Sequence, residues 1–499
     1  MKKNLHQIIK SMSSGEKRAF ALNCKKQGGK KSYYDLFYLI NSKSTVDWKA
    51  LIEEFHVLHP NKSFNNSCQY LMKNILDTLV GIKSEHNPQF QSYQELMRAD
   101  VLFERSLPKE GYRKIKKIQS ISEDLQDHGL GYLSSRLEIN YLKALGLGEV
   151  DEKHLISIHN KAKNSLKMLR QINEHHSLYE LLQHRLTIKG GVFSENEKKK
   201  LDDLVLSELS LMTLGLRKSF ESQSVHLLFQ SYYFTNIGNN KLALKIFKEL
   251  NDLFENNKKF WGYPPIDYLS TLEGILNSLR SINGHSEIPY YLNKLNLLDN
   301  SDYPEHFCRS VKLNYINYRL VFLLKNQNLN ESIEYIDIVN NEIIDSIPFV
   351  SASLQCELLL NISLTYFQAN DLKKSYNYIS QIFFNTKPNY SITTFKTAKF
   401  IALIIIYERK QLDYLEYELR AFKRAINNKI KLTKLEKLVL KVLLADPDSN
   451  SVPKNQSLWK FILPKMENIE KDKFETKSLK YFDFIAWIKS HFGVDSIAC

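Results

Sequence analysis

The sequence predicts an all-α protein, and three observations carry that prediction. Glycine supplies 17 of 499 residues and proline 12, about half of the roughly 7% and 5% usual in soluble proteins. A β-sandwich or a dinucleotide-binding α/β enzyme of this length needs far more tight turns and phosphate-facing glycines. A hydrophobic content of 43%, with aromatic residues at 12% of the chain, excludes a largely disordered polypeptide. Apolar residues recur at helical spacing, and helix starts recur at roughly 40 residues, the period of stacked helix pairs. The length exceeds what one core supports. The reading is therefore a small N-terminal helical bundle over 1–84, an α-solenoid of helix pairs over 85–445 and a C-terminal helical cap over 446–499.

The elements follow in order. Leu5–Met12 is apolar on one side. Ser13 or Ser14, ahead of Glu16, is an N-cap for a helix running through Cys24. KKQGGKK is a basic connector, and Tyr33–Ile40, Trp48–Val57 and Phe64–Ile82 read as three further helices, the last two separated by HPNKS. Helix pairs are expected near 91–127, 132–173, 177–222, 225–257, 266–298, 306–346, 352–386 and 392–429. FIALIIIY, Phe400–Tyr407, is too short to span a bilayer and fits a buried helix. Asp446–Gln456 is the clearest loop, and SLWKFILPKMENIEK and SLKYFDFIAWIKSHFG form the cap.

Two pairs carry punctuation. In FQSYYFTNIGNNKLALKIFKEL, Phe234 precedes Gly238 by four, and Ala243, Leu244 and Phe247 follow; in NISLTYFQANDLKKSYNYISQIF, Tyr366, Asn370, Ser375, Tyr376 and Ile379 take the matching places. A small residue on the second helix lets the pair approach closely. Gly238 or Asn370 accepts a left-handed backbone at the helix end, and the aromatic fills space between neighbouring pairs. In these residues the chain resembles the tetratricopeptide-like (TPR-like) family of helical repeats, over about two-thirds of the length by the period of such repeats. The ends, SSGEKRAFAL with KKSYYDLFYLI and KYFDFIAWIKS, resemble a group of bacterial proteins of similar length typical of Bacteroidota. That likeness implies fold and origin, with no activity to carry over.

The net charge is +14. Thirteen basic and six acidic side chains fall in residues 1–82, so half of the excess lies in about a sixth of the chain. This is the compositional hint of a nucleic-acid or other anionic partner, set against a lysine-rich solvated surface. Lys25, Lys26, Lys30 and Lys31 lead into Tyr33 and Tyr34, with Lys17 and Arg18 upstream; Arg113, Lys114, Lys116 and Lys117 follow Tyr112. Such mixtures suit phosphate contacts with base stacking. The alternative is that Tyr33 and Tyr34 are partly core while the lysines solvate a loop. Cys24, Cys68, Cys308, Cys356 and Cys499 are odd in number and far apart, so no disulfide framework or zinc site is indicated. The basic start lacks an apolar core and a cleavage site, and the expected compartment is the cytoplasm.

No phosphate loop, nucleophile elbow or HExxH is present. Gly129–Gly131 and Gly146–Gly148 have no strand ahead of them and read as turns. Glu53-x-x-His56 would be half of a di-iron site, but no second Glu-x-x-His pair exists. Arg170-x4-His175 and Arg280-x4-His285 resemble the signature of helical HEPN ribonucleases. Fourteen arginines and fourteen histidines make about one such match expected by chance, and neither pair has the usual polar residue after Arg. No catalytic residue, metal ligand or cofactor is therefore expected. Repeat arrays bind partners on the face lined by the first helix of each pair. The repeat register puts Leu228, Tyr232 and Asn236 there, with Leu360, Leu364 and Gln368 as counterparts. The expected function is a non-enzymatic scaffold holding a protein or peptide partner in this groove. The alternative is a DNA- or RNA-associated regulator acting through residues 1–84, with the repeats as sensor.

Overall fold

A computed structural model describes residues 2–26, 31–43, 46–145, 150–189, 191–213, 219–300, 302–326, 328–385, 393–426, 431–444, 466, 469, 472, 474–475 and 479–492. Among them are twenty-three α-helices and no strand. The first eight are α1 (Lys2–Ser11), α2 (Ser14–Lys26), α3 (Ser32–Asn41), α4 (Trp48–Leu58), α5 (Phe64–His86), α6 (Pro88–Glu104), α7 (Pro108–Asp124) and α8 (His128–Ala144). Then come α9 (Glu152–Lys189), α10 (Glu195–Lys199), α11 (Asp202–Thr213), α12 (Phe220–Asn236), α13 (Asn240–Asn256), α14 (Ile266–Ser281) and α15 (Ile288–Leu298). The chain continues through α16 (Glu305–Lys325), α17 (Leu329–Ser346), α18 (Ala352–Gln368), α19 (Leu372–Asn385), α20 (Thr393–Glu408), α21 (Leu412–Ile426), α22 (Lys434–Leu443) and a terminal helix, Phe484–Phe492.

The helices divide into two units. One holds residues 1–171, 259–266 and 300–308; the other holds 172–258, 267–299 and 309–499. In the first, α1–α5 close around Leu5, Ile9, Phe20, Leu36, Phe37, Ile40, Leu51, Phe55, Leu71 and Ile75. Ser13, of the two serines proposed, caps α2: its Oγ accepts from Glu16 N at 3.1 Å while Glu16 Oε2 accepts from Ser13 N at 2.7 Å, a reciprocal capping box. Helices α6, α7 and α8 pack consecutively on one another.

The second unit is built from helix pairs α12/α13, α14/α15, α16/α17, α18/α19 and α20/α21, close to the five pairs expected from 225 onward. Each pair turns by the same backbone device. The N–H groups of Asn239, Gly284, Asn328, Asp371 and Gln411 donate to carbonyls five residues back, on Phe234, Leu279, Leu323, Tyr366 and Ile406. This is the six-to-one bond of a helix ended by a left-handed residue. Gly238 and Asn370 take that conformation as expected, with φ of 81° and 59°. Asn283 (φ 57°) and Lys410 (φ 55°) do so as well, and Ser106 (φ 58°) and Gln126 (φ 53°) play the part in the first unit. Here lies the reason the glycine punctuation is sparse: side chains carry a turn that glycine would make without strain. Ser106 is exposed, so Ser106→Gly should stabilise by about 0.5–1 kcal/mol, read as a higher urea midpoint. An unchanged or lower midpoint would mean no strain is held there.

Close approach within pairs is also as anticipated. Ser375 is fully buried, and Ser363 and Ser375 each donate a hydroxyl to the other's carbonyl, at 2.9 and 2.8 Å, across α18 and α19. Phe247 fills the notch left by Gly274 on the next pair, where an added Cβ would lie 2.3 Å from its ring. Every residue of α20 from Thr394 to Tyr407 is buried, which bears out the buried helix read from FIALIIIY.

One expected break is absent. Pairs were placed at 132–173 and 177–222, but α9 runs unbroken for 38 residues through both. The stretch QINEHHS has no glycine, proline or cap strong enough to stop it. The Asp446–Gln456 loop and the SLWKFILPK part of the cap lie outside the described residues. Of the cap that is described, Phe484, Ile485, Trp487 and Ile488 share the core of α20 and α22, and Trp487 Nε1 donates to Glu408 Oε1 at 2.6 Å. Among the described residues no helix is long and apolar enough to cross a membrane.

Candidate functional site

The first helices of the five pairs in the second unit line one cavity of about 1110 Å³. Helix α12 contributes Tyr232 and Asn236, α14 Asn277 and Arg280, α16 Lys325, α18 Glu357, Asn361, Leu364 and Gln368, and α20 Thr394 and Lys396; Leu479–Asp483 closes one wall. Four of the six residues placed in the groove from the repeat register are therefore together here: Tyr232, Asn236, Leu364 and Gln368. Leu228 is half-buried on α12 and is not part of the lining. Leu360 needs correction: it is fully buried in the core. The lining stripe of α18 is Glu357, Asn361, Leu364 and Gln368, and Leu360 stands one residue, about 100° of helix rotation, away from it.

Arg280 organises the middle of the cavity. Its side chain is 4% exposed. Nη1 donates to Glu357 Oε1 at 3.1 Å and Nη2 to Asn361 Oδ1 at 2.8 Å, and the guanidinium lies 4.4 Å from the Tyr481 ring centroid. Asn361 Nδ2 in turn donates to Asn317 Oδ1 at 2.6 Å. Two polar atoms on lining residues, Arg280 Nε and Asn277 Oδ1, are buried without a hydrogen-bond partner. Tyr481 Oη shares a hydrogen bond with Thr394 Oγ1 at 3.1 Å. Burial pushes the Lys480 ammonium down to about 8; Glu357 opposes the shift and the Arg280 charge adds to it. At one end Lys396 Nζ pairs with Glu436 Oε1 at 2.9 Å, both nearly inaccessible. Burial raises the Glu436 carboxyl despite that partner.

Behind Arg280, Glu273 on α14 accepts from Asn314 Nδ2 at 2.5 Å. Burial pushes its carboxyl up from 4.5 to about 7, with the nearby Glu357 adding. Its folded pKa lies above its unfolded one, so between about pH 4.5 and 7 the folded state holds a proton the unfolded chain has released, and stability falls as pH rises through that window. The loss should reach about 3 kcal/mol. Glu273→Gln should flatten the slope of stability against pH over that interval; a slope equal to that of the unaltered chain would assign it elsewhere.

A second cluster was not legible in the sequence. His175 of α9, Glu208 of α11 and His226 of α12 are all buried and bring one donor atom each within 4.8 Å of the others. Both Nδ1 atoms meet Glu208 Oε1, His175 at 3.0 Å and His226 at 2.6 Å. Spacings of 33 and 18 residues match no metal motif, and only the packing of three helices joins them.

The remaining candidates separate. Tyr33 is buried in the α1–α5 core and Tyr34 bonds Tyr38 through their hydroxyls at 2.9 Å, while Lys31 Nζ lies 5.8 Å from the Tyr33 centroid. Arg18 and Lys25 are exposed and Lys17 half-buried; Lys30 lies outside the described residues, and of Lys26 only the helical backbone is described. Arg113 pairs with Glu110 at 2.9 Å, Lys114 with Glu95, and Lys116 with the buried Glu138 at 2.6 Å, so three of that group's four cations already face carboxylates; Lys117 is exposed. Glu53 and His56 are both exposed. Arg280 turns to Glu357 and Asn361, and His285 is not part of the cavity lining.

Fold and cavity together define an all-α protein of successive helix pairs lining a cavity of mixed polar and apolar character, crossed by the Arg280–Glu357 and Lys396–Glu436 ion pairs. No family model matches the chain, and it has no match among curated proteins or solved structures.

Proposed function

We propose that the chain is a non-enzymatic, TPR-like helical-repeat scaffold that binds a peptide or protein segment in the cavity of its second unit. The observation that carries this reading is that the first helices of five successive pairs line one cavity, with amides from Asn236, Asn277 and Gln368 along it. An extended peptide presents alternating N–H and C=O groups, which such amides satisfy. Arg280 Nε and Asn277 Oδ1, on lining residues, are buried and unpartnered, a donor and an acceptor that binding would have to uncover. At about 1110 Å³ the space somewhat exceeds the about 300–1,000 Å³ of small-ligand clefts. Of the charged lining groups, Arg280 is paired with Glu357 and Lys396 with Glu436.

The test is crosslinked capture with the full chain, repeated with Asn236→Ala/Gln368→Ala. Those side chains are half-buried and exposed, so the variant should keep its melting temperature. Recovery of a reproducible protein that crosslinks to cavity residues and is lost in the variant is the expected result. Recovery of nucleic acid alone, or of proteins captured equally by the variant, would overturn the reading.

A further inference from the structure

We propose that His175, Glu208 and His226 bind one divalent transition-metal ion of the zinc class, tying α9, α11 and α12 together. Two imidazoles and one carboxylate form a nitrogen-and-oxygen donor set that suits zinc and its first-row neighbours and disfavours magnesium or calcium. The donors converge from three different helices. Glu208 Oε1 stands 3.0 and 2.6 Å from the two Nδ1 atoms. Ligand bonds of about 2.0–2.2 Å in a tetrahedral site set donors roughly 3.4 Å apart, so the His175 and His226 contacts to Glu208 would have to lengthen by roughly 0.4 and 0.8 Å to admit the ion.

The charge arithmetic favours a cation. The side chains of His175, Glu208 and His226 are 0%, 3% and 2% exposed, and desolvating a lone carboxylate is costly. Among the described residues its ion-pair partners are the two histidines. Hydrogen bonding within the triad leaves Glu208 Oε2 and His175 Nε2 buried without a partner. A metal held through both carboxylate oxygens would employ Oε2, and with the two imidazoles these donors make up the four positions of a zinc site. Because the three ligands lie on separate helices, binding would add to the stability of the folded chain.

The experiment uses the purified full chain. Elemental analysis should find one equivalent of metal, chelation by EDTA should lower the melting temperature, and Zn²⁺ alone should restore it. Glu208→Gln and His226→Gln should each weaken Zn²⁺ binding by more than the about 100-fold that loss of an outer hydrogen-bond partner costs. His184→Gln, exposed on α9 with His175, should leave it unchanged. If the ligand variants do not fold, Co²⁺ added to the metal-free unaltered chain gives an independent readout, the visible d–d bands of a nitrogen-and-oxygen site. No stoichiometric metal with no thermal response to Zn²⁺ or EDTA, absence of the Co²⁺ bands, or equal binding by the Glu208 and His226 variants would each overturn the proposal.

Discussion

Arg280→Met is expected to lower stability by about 3 kcal/mol and to abolish ligand capture in the cavity. The guanidinium is 4% exposed and holds Glu357 and Asn361 at once. Its removal strands a carboxylate that is 16% exposed and an amide whose other end is committed to Asn317. Breaking one side of a buried ion pair costs about 3–5 kcal/mol, and the open space beside Glu357 places the value at the lower end. The face of Tyr481, now covered by the cation, would be exposed to the cavity. Two further variants separate the causes. Arg280→Lys keeps the charge but not the fork, so it should recover part of the stability and little of the binding. Arg280→Met/Glu357→Leu removes both charges and should regain much of the lost stability while binding stays absent. Urea midpoints and capture yields read the two effects independently. If Arg280→Met matched the unaltered chain in both, the guanidinium would not organise the cavity.

Phe400→Ala should cost about 4 kcal/mol, the largest loss expected from one apolar substitution here. Phe400 is 1% exposed in a helix covered on every side, with the rings of Phe422 and Phe484 at 5.5 and 6.2 Å. Truncating a buried phenylalanine removes its transfer free energy and leaves a cavity, together about 3–5 kcal/mol. Phe422 comes from α21 and Phe484 from the terminal helix, so the void would open at the junction of three elements with little freedom to collapse. A urea midpoint shifted by less than a quarter of that expectation would show that the terminal helix repacks into the space.

Much of the fold was legible because local signals and tertiary packing agree. Helix pairs from residue 225 onward were placed within a few residues, since each begins with a periodic apolar face and ends at a polar break. The turns at Gly238 and Asn370 carry residues that accept a left-handed backbone. Ser106, Gln126 and Lys410 take the same conformation without advertising it, because the six-to-one backbone bond and packing of the flanking helices impose it. The break expected between 173 and 177 is absent for the opposite reason: nothing there stops a helix.

The cavity was legible in part. Register alone placed Tyr232, Asn236, Leu364 and Gln368 on a common lining, and a one-residue error on α18 substituted Leu360 for Asn361. A better signal was available in principle. Asn361 interrupts the apolar run Leu358–Ile362, and Arg280 and Lys396 each follow a buried apolar residue, Leu279 and Phe395, a pattern that marks buried polar groups with partners. Their partners could not be read, because Arg280 meets Glu357 77 residues away and Tyr481 from the far end of the chain.

The sequence by itself determined the all-α class, the succession of helix pairs and the face of α12 that looks into the cavity, because helical periodicity and capping act within a few residues. Tertiary structure alone decided how charge is used. It set three of the lysines and arginines at 113–117 against carboxylates, placed Arg280 between Glu357, Asn361 and Tyr481, and brought His175, Glu208 and His226 to one point. Such pairings depend on which helix faces pack together, and the free energy of that packing is spread over the whole core rather than written at any one position.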